Sequence, residues 1–279
     1  MRLKDKVVLV TASTRGIGLA IVRACAAEGA VVYMAARNVE RAQVIADELN
    51  STGHCVKCVY NDATQPETFV SMIEETVRDA GRIDVLVNNF GGSDPAKDRD
   101  IFNTDPQVFL DTVNVNLCSV FTASQAAMRH MARQGGGSIV NISSVGGVVP
   151  DISQIGYGVS KAAINYLTKL IAVHGAAKHI RCNAVLPGMT ATDAVEQKLS
   201  ESFRSLFMRH IPLGRIGMPE EIAAAVVYFA GEESAYTTGQ LLTVSGGFGL
   251  PTPVYGDLSG SRTKRRSRSR IDTLPGETV

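Results

Sequence analysis

The chain has no tryptophan, and aromatic residues make up only 6% of its 279 positions. Net charge is nearly absent as well: 28 basic residues stand against 27 acidic ones, a formal +1. That balance disfavours a globally electropositive nucleic-acid binder. No stretch approaches the roughly 20 apolar residues that span a bilayer. The opening Met1–Lys6 lacks the apolar core of a secretion signal. Cysteines are few, odd in number and scattered, at Cys25, Cys55, Cys58, Cys118 and Cys182. They point to reduced thiols in a cytoplasmic setting rather than to a disulfide framework. Cys55 and Cys58 form a C-x-x-C without a second pair, so they read as packing residues of a strand. His54, His130, His174, His179 and His210 show no metal-ligand spacing, and no metal is expected.

The neutrality hides an uneven distribution. From Asp257 onward six basic residues (Arg262, Lys264, Arg265, Arg266, Arg268, Arg270) meet three acidic ones (Asp257, Asp272, Glu277), so the tail carries +3 and the body −2. Ser259–Arg270 is low in complexity and rich in Ser and Arg, which predicts a disordered basic tail over residues 257–279. It lacks the interleaved aromatics of a nucleic-acid platform.

What the chain does have is glycine, 26 residues, and a hydrophobic content of 45%. Short apolar runs read as buried strands at Val7–Val10, Ala30–Ala36, Val56–Tyr60, Asp84–Val87, Ser138–Ile142, Arg181–Leu186 and Gln240–Val244. Between them the apolar spacing turns helical, as in Ile17, Ala20, Ile21, Ala24 and Cys25. Further helices are expected over Val39–Leu49, from Pro66 through Val77, over Pro106–Met131, over Tyr157–Ala177 and from Pro219 to about Ala230. Alternation of this kind predicts one α/β domain over residues 1–256, a doubly wound, Rossmann-type domain with a seven-stranded parallel sheet.

Ligands of such sheets bind beyond the carboxyl ends of the strands. The first strand runs into Thr11-Ala12-Ser13-Thr14-Arg15-Gly16-Ile17-Gly18, where free N–H groups and the helix dipole suit a pyrophosphate. A tight turn without a ligand is the plainer reading of two glycines alone. The end of the second strand reads Ala35-Ala36-Arg37-Asn38, with no carboxylate for a ribose 2′-hydroxyl. An Arg there, seconded by Arg15, suits a 2′-phosphate, so the cofactor is expected to be NADP(H) rather than NAD(H). The alternative is that Arg37 is a solvated surface cation.

At this point the chain resembles the short-chain dehydrogenase/reductase family over roughly residues 4–250. The resemblance rests on Thr11–Gly18, on Asn88-Asn89-Phe90-Gly91, on Tyr157-Gly158-Val159-Ser160-Lys161, on Ser144 thirteen residues before Tyr157, on Asn116, and on Pro187-Gly188. It implies catalytic roles for Asn116, Ser144, Tyr157 and Lys161. It implies cofactor contacts from Thr11, Ser13, Thr14, Arg15, Gly16, Ile17, Gly18, Arg37, Asn38, Asp62, Ala63, Asn89, Gly91, Tyr157, Lys161, Pro187, Gly188, Thr190 and Thr192. Asp62 resembles the adenine-edge residue and Asn88 the ribose-side residue; a plain turn or cap role is the alternative for each. Thr190 and Thr192 read as contacts to the nicotinamide amide or the phosphates, and Thr192 equally as the cap of the next helix. Two departures stand out. Ala12 replaces a glycine, and its methyl fits if φ stays negative, giving a slightly altered turn. Phe90 replaces an alanine and either shapes the nicotinamide side or fills the core.

A narrower resemblance is to bacterial NADP-dependent bile-acid hydroxysteroid dehydrogenases of the 7α type. It rests on Asn88-Asn89-Phe90-Gly91-Gly92, on Val149-Pro150-Asp151-Ile152-Ser153, on Arg181–Gly188 and on the ending Gly246–Tyr255. It implies a steroid or bile-acid substrate, with the 7α-hydroxyl favoured over 12α. It also implies a homotetramer. The segment with Val195, Leu199, Phe203, Leu206 and Phe207 matches the family's substrate lid, although core packing explains the spacing equally. The chemistry follows from residue types: a Tyr hydroxyl exchanges the substrate proton once its pKa falls, and Lys161, one helical turn on, lies on the same face. Ser144 would hold the substrate oxygen and Asn116 a relay water. Two other readings are a broader carbonyl reductase, since Thr11-Ala12-Ser13-Thr14 also resembles dicarbonyl and retinal reductases, and a nucleotide-binding interaction protein that keeps the fold.

Overall fold

The computed structural model describes residues 1–192, 200–252 and 254–258. Its strands are β1 (Val7–Thr11), β2 (Val31–Ala36), β3 (Cys55–Tyr60), β4 (Val85–Asn88), β5 (Gly137–Ile142), β6 (Ile180–Pro187) and β7 (Leu241–Val244). The helices between them are α1 (Gly16–Ala27), α2 (Val39–Ser51), α3 (Thr68–Ala80), α4 (Pro106–Gln134), α5 (Ile155–Gly175), α6 (Glu201–Met208) and α7 (Pro219–Ala230). All neighbouring strands are parallel, in the order β3-β2-β1-β4-β5-β6-β7. The order reverses between β1 and β4, which opens a crevice there at the carboxyl edge.

Strand alternation divides the core into two layers. Val8 and Val10 point to one face and join Ile21 and Val22 of α1, Ala42 and Ala46 of α2, and Val226 of α7. Val7 and Leu9 point to the other and join Ile73 of α3, Ala127 and Met131 of α4, and Ile171 of α5. Fully buried Leu9, Ile21, Ile73 and Met131 each contribute about 2 kcal/mol of hydrophobic stabilisation. The small residues Ala42, Ala46, Ala123 and Ala127 let the helices lie close to the sheet. Of the two cysteines of β3 only Cys58 packs against the core, and burial pushes its thiol up to about 11; Cys55 is exposed, because strand positions three apart point to opposite faces.

Three expectations need correction or limits. Pro66 does not open α3; the helix starts at Thr68. The Thr68 hydroxyl bonds the carbonyls of Asp62 (2.9 Å) and Gln65 (2.7 Å), which folds Asp62–Glu67 into a turn first. The lid segment is helical over Glu201–Met208, capped by Ser200, whose Oγ accepts from the Phe203 amide at 3.2 Å; Val195 and Leu199 lie outside the described residues. So does the tail beyond Leu258. Contacts with the body nevertheless run past residue 256, because Asp257 pairs with Arg209.

Candidate active site

The turn from β1 to α1 is held from beneath. Thr11 is buried, and its Oγ1 accepts from the amides of Asn89 and Phe90, both at 2.9 Å. Ser13 is also buried and its hydroxyl donates to the Ala35 carbonyl. Both side chains therefore shape the turn instead of projecting from it. The Asn89 amide donates to the carbonyls of Thr11 (3.1 Å) and Ala12 (3.0 Å), tying the turn to the end of β4. Gly18 is required by close approach: a Cβ there would lie 2.3 Å from the Ala12 carbonyl oxygen and 2.6 Å from Asn89 Nδ2. Ala12 does not keep a negative φ. Its φ is +51°, because the carbonyl must turn inward to Asn89, and an L-residue there costs about 1 kcal/mol.

Arg15, just before α1, and Arg37, just after β2, are both exposed. Asn38 caps α2, accepting from the Arg41 amide at 2.7 Å, so its side chain serves the helix. Asp62 accepts from the Thr64 amide (3.0 Å) and hydroxyl (2.9 Å). Those bonds, with Arg37 nearby, hold its carboxyl below the usual range. Asn88 is buried inside the domain. Its amide donates to Ser124 Oγ and Asn141 Oδ1 because β4 turns it toward the helices. Phe90 fills the core, meeting Phe69 edge-on at 6.2 Å between centroids. Ala63 packs against the same layer, and Ile17 against the other.

The catalytic candidates converge. Ser144 follows β5, and its hydroxyl accepts from the Gly146 amide at 3.1 Å and lies beside the Tyr157 phenol. Lys161 lies one turn further along α5, with Nζ 5.5 Å from the Tyr157 ring centroid and donating to the Ile142 carbonyl at 2.8 Å. Asn116 interrupts the apolar face of α4. Its Oδ1 accepts from the Gly92 amide and its Nδ2 donates to the Gly92 carbonyl, both at 2.9 Å, and Nδ2 also donates to Thr112. Gly91 joins the two: a Cβ there would lie 2.6 Å from Lys161 Nζ and 3.3 Å from Asn116 Oδ1. Burial lowers Lys161 to about 8. Burial raises Tyr157, and the Ser144 hydroxyl beside it works against that rise. The phenol thus starts above its ordinary value, the reverse of what proton exchange at neutral pH needs, and nearby positive charge has to make up the difference.

Pro187 ends β6, and the Gly188 amide donates to the Val244 carbonyl at 2.9 Å. Thr190 spends its hydroxyl on the Gly188 carbonyl. Thr192 reaches the β1–α1 turn: a Cβ on Gly16 would lie 3.2 Å from its Cγ2. Beside the loop that carries Ser144, α6 rests on the 245–249 turn, with Phe207 stacked on Phe248 at 4.5 Å and Phe203 on Phe207 at 6.1 Å. A Cβ on Gly249 would meet Val149 at 2.8 Å, so this apolar group borders the loop that carries Ser144.

Sequence reasoning passes over one residue at the site. Asp98 lies in the segment between β4 and α4, fully buried, and its carboxylate accepts the amides of Gly156 (2.8 Å) and Tyr157 (3.0 Å). Nothing in the local pattern separates it from its neighbours Asp94 and Asp100.

A family model described as Enoyl-(Acyl carrier protein) reductase matches residues 11–249. A 7alpha-hydroxysteroid dehydrogenase of Clostridium sardiniense is 48% identical over 256 residues, covering 92% of this chain and 98% of that protein. A namesake from Paraclostridium sordellii is 48% identical over 94% of this chain and 98% of its own. Among solved structures, a 7 alpha-hydroxysteroid dehydrogenase complexed with NADH and 7-oxo glycochenodeoxycholic acid superposes with a TM-score of 0.84 at 30% identity, over 88% of this chain and 95% of that one. A short-chain type dehydrogenase/reductase from Mycobacterium marinum gives 0.83 at 35%, over 89% and 97%. With its parallel sheet, its glycine turn and its Ser144–Tyr157–Lys161 cluster, the chain belongs to the short-chain dehydrogenase/reductase family.

Proposed function

We propose that the protein is an NADP(H)-dependent hydroxysteroid dehydrogenase that interconverts the 7α-hydroxyl and the 7-ketone of a bile acid. The observation that carries the substrate class is the 48% identity, over more than nine-tenths of the chain, to two relatives named for that activity. The geometry agrees with the reaction class. The residues also fit a dinucleotide: the β1–α1 turn offers amides around a glycine that tolerates no Cβ, and Gly91 leaves open the space beside Lys161 Nζ. Two exposed arginines, Arg15 and Arg37, with no carboxylate at the end of β2, favour a 2′-phosphate. Thr14, Ala63, Pro187, Gly188 and Thr192 would complete the contact surface.

The cofactor supplies the hydride donor or acceptor when bound. In oxidation the Tyr157 hydroxyl, as phenolate, takes the proton of the substrate hydroxyl; in reduction it returns one. Ser144 Oγ holds the substrate oxygen beside it. Lys161 in its protonated form favours the phenolate, and its lowered pKa of about 8 keeps that charge adjustable near neutral pH. Asn116 keeps Gly92, and with it the Gly91 opening, in place, and would hold a water that relays protons toward Lys161.

Exposed Phe121 of α4 and Val159, Tyr166 and Val173 of α5 form an apolar outer face on paired helices. That face supports association into a homotetramer. Among the described residues no helix is long and apolar enough to cross a membrane; the five free thiols favour a reducing, cytoplasmic setting. The substrate test is an assay of NADP⁺ reduction with cholate, chenodeoxycholate and deoxycholate. Activity with the first two, which carry a 7α-hydroxyl, and none with the third is the expected result. No activity with any of them refutes the bile-acid reading.

A further inference from the structure

We propose that Asp98 is a positioning residue for the reaction: it fixes the first turn of α5, and with it the place of the Tyr157 hydroxyl relative to Ser144 and Lys161. The inference rests on the reading of Tyr157 as the proton-exchanging group.

A helix begins with amides that have no partner inside the helix. At α5 the residue in the capping position cannot supply one. Gln154 is in the left-handed region with φ +57°, makes no side-chain cap, and uses its Oε1 to accept from Ser93 Oγ at 2.9 Å. The missing partners come instead from a segment more than fifty residues earlier. The Arg99 carbonyl accepts from the Ile155 amide at 3.2 Å. Asp98 Oδ1 accepts from the Gly156 amide and Oδ2 from the Tyr157 amide. Three successive amides, ending at Tyr157 itself, are thus closed by two residues of one loop.

The carboxylate is fully buried, so the amides and the positive end of the helix dipole are what make its charge tolerable. Space for it is made on the helix side: a Cβ on Gly156 would lie 3.2 Å from Asp98 Oδ1 and 3.0 Å from Thr112 Cβ. The loop is also fixed at its other end, where Asn116 clasps both backbone groups of Gly92. Asp98 therefore ties α5 to the same short segment that starts at the Asn89–Gly91 turn. A displacement of about 1 Å at a reacting group costs on the order of a hundredfold in rate, so a loose first turn of α5 lowers turnover before it lowers binding.

The test uses the full-length enzyme. Asp98→Ala is expected to lower kcat about tenfold to a hundredfold, with NADPH affinity and the substrate KM changed less than threefold. Asp98→Asn keeps one acceptor but turns an N–H donor toward a donor, and is expected to fall between wild type and Asp98→Ala. If Asp98→Ala does not fold, Asp98→Asn carries the test. Asn50→Ala serves as the control for generic destabilisation, because it removes two bonds to the Val56 backbone far from α5; it is expected to lower Tm and keep kcat. A kcat within twofold of wild type for the Asp98 variants overturns the proposal. So does a loss that merely follows the fraction of protein still able to bind NADPH. Tyr157→Phe is measured in parallel: if it stays active, the reading of Tyr157 fails and takes this inference with it. If it is inactive while Asp98→Ala is fully active, the positioning role alone is lost.

Discussion

The two flanks of the crevice are built from different interactions. On one side Lys161, Asn116 and Asp98 are buried and Ser144 and Tyr157 half-buried, and Ser144, Lys161, Asn116 and Asp98 each bond named backbone groups. On the other, Phe203 and Phe207, on a helix without a single buried residue, and Phe248 of the 245–249 turn meet through their ring faces. The first arrangement is costly, because it takes ionisable groups out of water, and it is rigid. The second is loosely specified and can be reshaped without touching the chemistry. The comparison suggests that the reaction is encoded on the polar flank and the choice of substrate on the apolar one.

Changes on the polar side should have the larger effects. Lys161→Met is expected to abolish turnover yet leave the fold intact or more stable at neutral pH, since an apolar side chain suits that burial. The sign with pH is specific. Lys161 in the folded state titrates at about 8, below its ordinary 10.5, so the unfolded chain binds more protons between those values. Its contribution to stability therefore rises as pH increases from 8 to 10.5. Denaturant melts of wild type and Lys161→Met should converge by on the order of 2–3 kcal/mol between pH 7 and pH 10. A constant difference across that window contradicts the buried-ammonium picture.

Arg37→Ala addresses the cofactor end of the same edge. Loss of paired, charge-assisted bonds should cut the preference for NADP over NAD by about tenfold to a hundredfold, read as the ratio of kcat/KM for the two cofactors. An unchanged ratio makes Arg37 a surface cation only.

Phe248→Ala tests the apolar flank. Removing the ring stacked on Phe207 forfeits roughly 1 kcal/mol of aromatic contact. It should raise the steroid KM about threefold to tenfold with kcat within about twofold. A fall in kcat with KM unchanged would erase the proposed division of labour.

Ala12→Gly should have the smallest effect. Relief of the positive φ, set against the entropy glycine adds to the unfolded chain, leaves a gain of about 0.5–1 kcal/mol, measurable as a higher Tm. A lower Tm would mean that the methyl makes a compensating contact.

The same contrast explains how much was legible in the sequence. Strands appeared as short apolar runs because a parallel sheet buries both faces, and all seven stand where the runs predicted them to within a few residues. Tyr157 and Lys161 were legible through the resemblance to a known family, since a Tyr and a Lys one turn apart are common on ordinary helices; Gly18 was legible from the strand–glycine–helix order together with that resemblance. Asp98 was not, since its partners are amides more than fifty residues away and its own segment has no periodicity. The positive φ of Ala12 was hidden for a similar reason: its carbonyl is held by Asn89, at the end of the neighbouring strand β4. The stack of Phe207 on Phe248 joins two segments that only the tertiary fold brings together. Pro66 misled because a residue suited to a helix start also suits the turn that Thr68 closes.

The most direct test of the central claim is single-turnover oxidation of a 7α-hydroxy bile acid by Tyr157→Phe, beside a measurement of NADPH binding by the same protein. The account predicts a rate lower by at least about a thousandfold with cofactor affinity retained. A normal rate would place the proton transfer elsewhere and contradict it.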